Sequence, residues 1–291
     1  MKPIKQITIL GIGLIGASLA QSCRQRKLAD KIIGFGRNAD NLKKAQEKNV
    51  IDSGSTDLKT AVTGSDLIVV CTPVGVLVER VREMIPFLQK GCIITDAGSV
   101  KGSLVEEIDT LIPNTVHYVG AHPIAGGEQS GLEAANVDLL TGAKCIITPT
   151  ANTRTEALQR VTEFWAEVGM QTITMDADEH DTVFGALSHL PHVVAYALMN
   201  TVANVKTASH GDILSMSGGG LKDITRIASS DPVMWRDICL KNKLPVVTLI
   251  NQFQDALENI KTLIEQDQAD ALQETFANAN VHRGKLVETN T

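Results

Sequence analysis

His122 lies in GAHPIAGGEQSG (residues 120–131), a glycine-rich stretch with little that could pack in a core. An imidazole titrates close to neutral pH, so a histidine on a thin loop can take or return a proton beside a bound ligand. DAGSVKG (96–102) adds Ser99, and SHLPH (188–192) adds His189 and His192, three residues apart. GGGLKDITR (218–226) holds Gly219 and Arg226, and DPVMWRDI (231–238) holds Trp235. A guanidinium fork grips a carboxylate through two parallel hydrogen bonds, which makes Arg226 a candidate anion holder. His189 and His192 could be read as a metal pair, but no third ligand stands at suitable spacing, and no metal is expected.

A second chemistry is nucleotide binding. GIGLIG (11–16) follows the apolar run QITIL (6–10) and opens a stretch rich in Ala, Ser and Leu. That strand–turn–helix setting is what makes a GxGxxG pattern specific. Gly11 permits the tight turn, Gly13 lets backbone approach a pyrophosphate, and Gly16 lets helix pack closely on strand. The N–H groups of the first helical turn, around Leu14 and Ile15, then meet the anion together with the positive end of the helix dipole. About twenty residues on, an NAD site carries an acid that bonds the ribose 2′-hydroxyl. Here IIGFGRN puts Gly36 at that place and Arg37 next to it. The missing carboxylate makes room for a 2′-phosphate that Arg37 can pair with, so NADP is favoured, with NAD as the alternative.

These groups need a frame. Short apolar runs recur at 6–10, 31–35, 66–72, 92–98, 117–123, 144–149 and 171–175, and stretches with helical period separate several of them. Continuous apolar strands alternating with helices predict a parallel sheet covered on both faces, a doubly wound Rossmann-type α/β domain. Ligands bind such sheets at the carboxyl ends of the strands, where CTPVG (71–75, with Thr72 and Pro73), DAGSVKG and GAHPIAGGEQSG converge. From about Asp176 the pattern becomes helical. Asp231 before Pro232 is a helix start, and one long helix is predicted over about 243–265. Its apolar stripe (Leu244, Val247, Ile250, Leu257, Ile260, Leu263, Ile264) predicts either a core or a dimer seam. The expected division is therefore 1–175 for dinucleotide binding and 176–291 for an all-helical domain that binds substrate and dimerises.

The totals agree with two domains of ordinary size: 291 residues, 43% of them apolar. A formal charge of −6 argues against nucleic acid or an anionic membrane as main partner. Five widely spaced cysteines (Cys23, Cys71, Cys92, Cys145, Cys239) without a CxxC predict reduced thiols and a cytoplasmic protein. Lys2 and Lys5 ahead of ITILGIGLIGASLAQS could pass for a secretory leader, but glycines at cofactor-loop spacing interrupt that apolar run. No membrane span is expected.

Six motifs in this order, from the GxGxxG loop to about Lys243, resemble the prephenate and arogenate dehydrogenases of tyrosine biosynthesis. The resemblance implies oxidation of a cyclohexadienol by a nicotinamide cofactor with loss of carbon dioxide, giving a 4-hydroxyphenyl product. It implies His122 as the catalytic histidine that accepts the hydrogen bond of the substrate's 4-hydroxyl, and Ser99 as the serine that holds this geometry. Ser99 could also cap a helix. It further implies Arg226 on the side-chain carboxylate, with His192, Glu128, Gly219 and Trp235 around the substrate, and a homodimer formed through the helical half. Gly127 departs from relatives that carry a hydroxyl there. No fused chorismate mutase segment or regulatory domain is expected, so tyrosine could act only by competition at the active site. A β-hydroxyacid dehydrogenase is a second reading, though its GxxGxGxxxK pattern does not occur here. A third is a dinucleotide sensor that has lost its chemistry.

Overall fold

The computed structural model of the protein describes residues 3–127, 129–206 and 213–288. Seven of the eight strands coincide with the apolar runs: β1 (Ile4–Leu10), β2 (Ala29–Phe35), β4 (Leu67–Val70), β5 (Ile93–Asp96), β6 (His117–Pro123), β7 (Lys144–Thr148) and β8 (Gln171–Thr174). The eighth, β3 (Ser53–Ser55), is a three-residue edge strand with no apolar side chain, so periodicity does not reveal it. Pairing gives one sheet in the order β3-β2-β1-β4-β5-β6-β7-β8.

The sequence pattern predicts a parallel sheet, and the structure departs from it at one pair. β6 and β7 pair antiparallel, with His122 opposite Ile146, and β8 follows β7 in parallel. The reason lies in the connection. Among the described residues of 124–143 there is a short 3-10 turn at Leu132–Ala134 and no crossover helix, so β7 comes back alongside β6 from the other direction.

Helices α1 (Leu14–Gln25), α2 (Ala39–Glu47), α3 (Leu58–Val62), α4 (Val74–Met84), α5 (Gly102–Leu111) and α6 (Thr155–Val168) connect the strands. The buried side chains form two clusters. One joins β1, α1 and α6 around Phe164 and Trp165, and the other joins β4, β5, α4 and α5 and reaches Trp235 and Ile238. All five cysteines are free thiols.

After β8 the chain is helical: α7 (Ala177–Phe184), one π turn at Gly185–His189, α8 (Leu190–Ala203), α9 (Gly219–Thr225) and α10 (Pro232–Lys241). Asp231 caps α10 by accepting the Met234 N–H at 2.8 Å, as the Asp-Pro pair predicts. By length and composition the run Ala177–Ala203, with mean hydropathy 1.3, could cross a membrane. Three of its polar residues, His180, Asp181 and His189, are instead buried and hydrogen-bonded within this unit.

Contacts divide the chain into two compact units, Met1–Lys243 and Leu244–Thr291. The second holds α11 (Lys243–Glu265) and α12 (Ala269–Glu288), joined by a turn in which Asp267 has φ 53°. Of the apolar stripe on α11, Leu244, Val247, Leu257 and Ile264 are exposed in the single chain.

Candidate active site

The three glycines of the nucleotide loop have three distinct surroundings. Gly11 has φ +99°, and a Cβ there would stand 2.7 Å from the Cys71 carbonyl oxygen. A Cβ on Gly16 would collide with the Gly11 carbonyl oxygen, so only glycine lets α1 approach β1 this closely. Around Gly13 there is open space to 4 Å. Helix α1 starts here with no side-chain cap and no acid in its first turn, which leaves the N–H groups at Leu14, Ile15 and Gly16 for an anion. Asn41 steadies the loop by donating to the Ile12 carbonyl at 3.0 Å. Thr72, on the neighbouring CTPVG loop beside Pro73, has a buried hydroxyl without a hydrogen-bond partner among the described residues. An open glycine, uncapped N–H groups and an unpartnered hydroxyl together fit a dinucleotide. At the end of β2, Gly36 would meet nothing nearer than Leu42 at 3.6 Å, and Arg37 beside it is exposed. Packing therefore does not impose the glycine at 36.

His122 sits at the carboxyl end of β6, and its environment was not legible in the motif. Its Nδ1 lies 2.8 Å from His180 Nε2, and His180 Nδ1 lies 2.8 Å from Asp181 Oδ1. The carboxylate can only accept, so His180 carries its proton on Nδ1 and offers a lone pair at Nε2. His122 must then donate from Nδ1, which leaves its Nε2 as a bare acceptor. Phe184 packs edge-on against His122 at 5.0 Å and also covers His180. Burial, with charge on His180 and Lys101, pushes the His122 pKa well below its usual value, and burial also lowers that of His180. Both rings are neutral at pH 7. The pair is a base held in one tautomer.

Asp181 does more than orient His180. Its Oδ1 also accepts the Lys101 N–H at 2.7 Å, and its Oδ2 accepts the Gly102 N–H at 2.9 Å. Asp181 thus caps α5, the role that Ser99 could have filled. Ser99 stands outside that helix, half-buried, and its hydroxyl has no partner among the described residues. On the other side, Lys101 Nζ pairs with Asp96 Oδ2. Asp96 Oδ1 accepts from the Tyr118 hydroxyl at 3.0 Å and from the Ala121 N–H at 3.1 Å. Sequence reasoning missed His180, Asp181, Lys101 and Asp96. The available signal was a His-Asp pair at the head of an apolar helical run, and a lysine in the loop after an apolar strand.

The helical residues form a second group. His192 Nδ1 donates to the Ser188 carbonyl at 2.9 Å, and its ring stacks on Trp235 at 3.5 Å between centroids and 20° between planes. Trp235 is both core and contact: it closes the cluster under α4 and α5 while its face meets His192. Arg226 is close enough for its charge to lower the His192 pKa, after the larger effect of burial. The π turn, a local irregularity common at functional sites, presents Ser188 and His189. His189 is buried, accepts from Asn242 at 2.9 Å and has its pKa pushed down to about 4, chiefly by burial. That bond fills Nδ1, and no group of three or more metal-ligating side chains converges among the described residues. Gly219 begins α9 and is exposed. Glu128 lies outside the described residues. A Cβ on Gly127 would stand 3.6 Å from Leu14, so the loop after His122 runs beside the nucleotide loop.

Comparison with known proteins agrees with this arrangement. Residues 19–174 match the family described as prephenate dehydrogenase, nucleotide-binding domain, and residues 176–278 match prephenate dehydrogenase, dimerization domain. A cyclohexadienyl dehydrogenase of Zymomonas mobilis is 33% identical over 276 residues, 95% of this chain and 94% of that one. The prephenate dehydrogenase of Bacillus subtilis is 31% identical over 281 residues, 96% of this chain and 76% of the relative. Among solved structures, prephenate dehydrogenase from Aquifex aeolicus in complex with hydroxyphenyl propionate and NAD+ superposes with a TM-score of 0.91 at 36% identity, covering 97% and 98% of the two chains. Synechocystis arogenate dehydrogenase superposes with a TM-score of 0.81 at 28% identity, covering 97% and 99%.

Proposed function

The chain belongs to the prephenate dehydrogenase family, and on that premise we propose how its residues divide the work. It is a nicotinamide-dependent oxidoreductase of tyrosine biosynthesis that oxidatively decarboxylates prephenate or arogenate to 4-hydroxyphenylpyruvate or tyrosine. His122 is the base. The observation that supports this is the chain from Asp181 through His180, which leaves His122 Nε2 as a bare acceptor. Nε2 receives the hydrogen bond of the substrate's 4-hydroxyl and takes its proton as the carbonyl forms. The imidazolium that results keeps its Nδ1–H on His180, and the Asp181 carboxylate beyond balances the charge. A nicotinamide cofactor held by the glycine loop would supply the acceptor for the hydride that leaves the carbinol carbon. Loss of carbon dioxide then follows with little help, because it makes the ring aromatic.

Ser99, with its uncommitted hydroxyl, orients the 4-hydroxyl against His122. Arg226 binds the side-chain carboxylate, and the stacked His192 and Trp235 form the wall beside it, with Gly219 completing the pocket. Gly11, Gly13, Leu14, Ile15 and Gly16 cradle the pyrophosphate, and Thr72 and Pro73 face the cofactor from the neighbouring loop. NADP is the preferred form. Its support is the absence of an acid at Gly36, where packing leaves room for one, together with the exposed Arg37. Residues 1–175 carry the cofactor and 176–291 the substrate and the homodimer contact. The dimer is supported by the dimerization-domain match and by the exposed stripe on α11. The protein works in the cytoplasm.

The test is His122→Asn, read by reduced-cofactor absorbance and by cofactor titration. The turnover number should fall by about 10²–10⁴-fold, the worth of a positioned general base, with cofactor affinity retained. Undiminished turnover removes His122 from the mechanism. A wild-type protein that binds cofactor but turns over neither substrate is a sensor.

A further inference from the structure

Lys101 is among the largest fully buried side chains of the protein, with no solvent-exposed surface. Its ammonium pairs with Asp96, which is equally buried. A buried ion pair is seldom a better stabiliser than apolar packing of the same volume, so its place in the fold is informative. The pair stands at the junction of β5 and α5, and β5 is the parallel neighbour of β6.

Hydrogen bonds run from this lysine to His122 in two directions. Through its side chain, Lys101 holds Asp96, and Asp96 Oδ1 accepts the N–H of Ala121, the residue before His122, at 3.1 Å. Through its main chain, Lys101 donates to Asp181 Oδ1 at 2.7 Å. That same oxygen accepts from His180, which meets His122 at 2.8 Å. The ring of contacts therefore closes on His122 from its backbone and from its imidazole. Moving any member changes the direction in which Nε2 points.

We propose that Lys101 is a positioning residue for the oxidation, which holds His122 through Asp96 and Asp181 in its neutral form with Nε2 open. The assignment rests on His122 being the base. Among the described residues, the titratable and charged groups around that imidazole are few. Lys101 and Asp96 come from the β5–α5 junction, Tyr118 from the same strand, and Cys145 from β7. His180 and Asp181 come from α7, and His189 from the π turn. Lys101 is the cation of this set, and its charge opposes protonation of both His122 and His180. That charge keeps the free imidazole unprotonated and its Nε2 lone pair available, while the Asp181 carboxylate offsets the imidazolium that forms on proton transfer.

Lys101→Met removes the charge and keeps most of the volume. Since this substitution leaves Asp96 buried and unpaired, the double variant Lys101→Met/Asp96→Asn is made beside it, replacing the ion pair by neutral groups of similar shape. In Lys101→Met the acidic limb of the kcat/KM profile should move up by about one pH unit, and in the double variant it should move in the same direction by less, because the Asp96 charge that favours protonation of His180 is lost with it. Below that limb the activity of Lys101→Met then drops about tenfold while the plateau changes far less. KM for substrate should stay within about twofold, because no residue that touches substrate has changed. The His122 pKa, read by NMR of the labelled imidazole, should rise with the limb. This second readout needs no turnover, so it separates failure of the proposal from failure of the assignment of His122 as base. An acidic limb and a His122 resonance both unmoved in folded protein overturn the proposal, as does a loss confined to KM.

Discussion

Replacing Asp181 by Asn tests the tautomer argument directly. The side chain is 4% exposed and its two oxygens serve three donors: the Lys101 N–H, the Gly102 N–H and His180 Nδ1. Asparagine has one oxygen to offer. If that oxygen keeps the Lys101 N–H and His180, the new amide group points at the Gly102 N–H, and two donors face each other. An unsatisfied buried donor costs about 1–3 kcal/mol, and the loss of charge weakens the bonds that remain. The total of about 2–3 kcal/mol predicts a fall in Tm of roughly 4–12 °C for a chain of this size. If the amide turns the other way, it donates to His180 Nδ1. His180 must then carry its proton on Nε2 and donate to His122 Nδ1, so the His122 proton moves to Nε2, where the substrate needs a lone pair. The two orientations compete, so the turnover number should fall by about 10–10³-fold, less than full loss of a base. Thermal unfolding and initial rates on the same preparation separate the two effects. A lowered Tm with an undiminished turnover number means that Asp181 serves only as the cap of α5, and the relay argument fails.

The remaining predictions concern the cofactor end and pH. Gly16→Ala drives a methyl into the Gly11 carbonyl, and the overpacking should destabilise the protein by about 1–3 kcal/mol and weaken cofactor binding, checked by chemical denaturation and cofactor titration. Gly36→Asp should be accepted without loss of stability, since the nearest atom to the new Cβ is Leu42 at 3.6 Å. It should move the ratio of kcat/KM from NADP toward NAD by at least about tenfold, and an unchanged ratio removes this position from cofactor choice. His189 has its pKa lowered from 6.5 to about 4 in the fold, so the unfolded chain binds the extra proton first. Its contribution is complete above about pH 6.5 and is lost as pH falls toward 4, about 3 kcal/mol at most. Denaturation midpoints should therefore fall over that window, and His189→Gln should flatten the slope. A slope equal to wild type counts against the assignment.

Much of the frame was determined by local pattern. GIGLIG after an apolar run specifies a strand, a turn and a helix, because each glycine answers a constraint within a few residues of itself. Apolar runs of four to seven residues mark the strands of a sheet buried on both faces, and Asp231-Pro232 marks the start of α10, again through near neighbours. His122, His192 and Arg226 were legible because their motifs are short and ordered. The antiparallel β7 was not, because strand direction depends on how a connection returns and not on the residues of the strand. Nor were the partners of His122. His180 is 58 residues away in sequence, and Asp181 reaches back 80 residues to Lys101. On α7 these side chains look like two more members of an acidic, polar first turn, and Lys101 looks like the end of a loop. Only the packing of α7 against the β5–α5 junction brings two carboxylates, two imidazoles and one ammonium within hydrogen-bond reach. Hydrogen-bond geometry acts over about 3 Å of space whatever the separation along the chain, so the proton's place on His122 is a property of the fold.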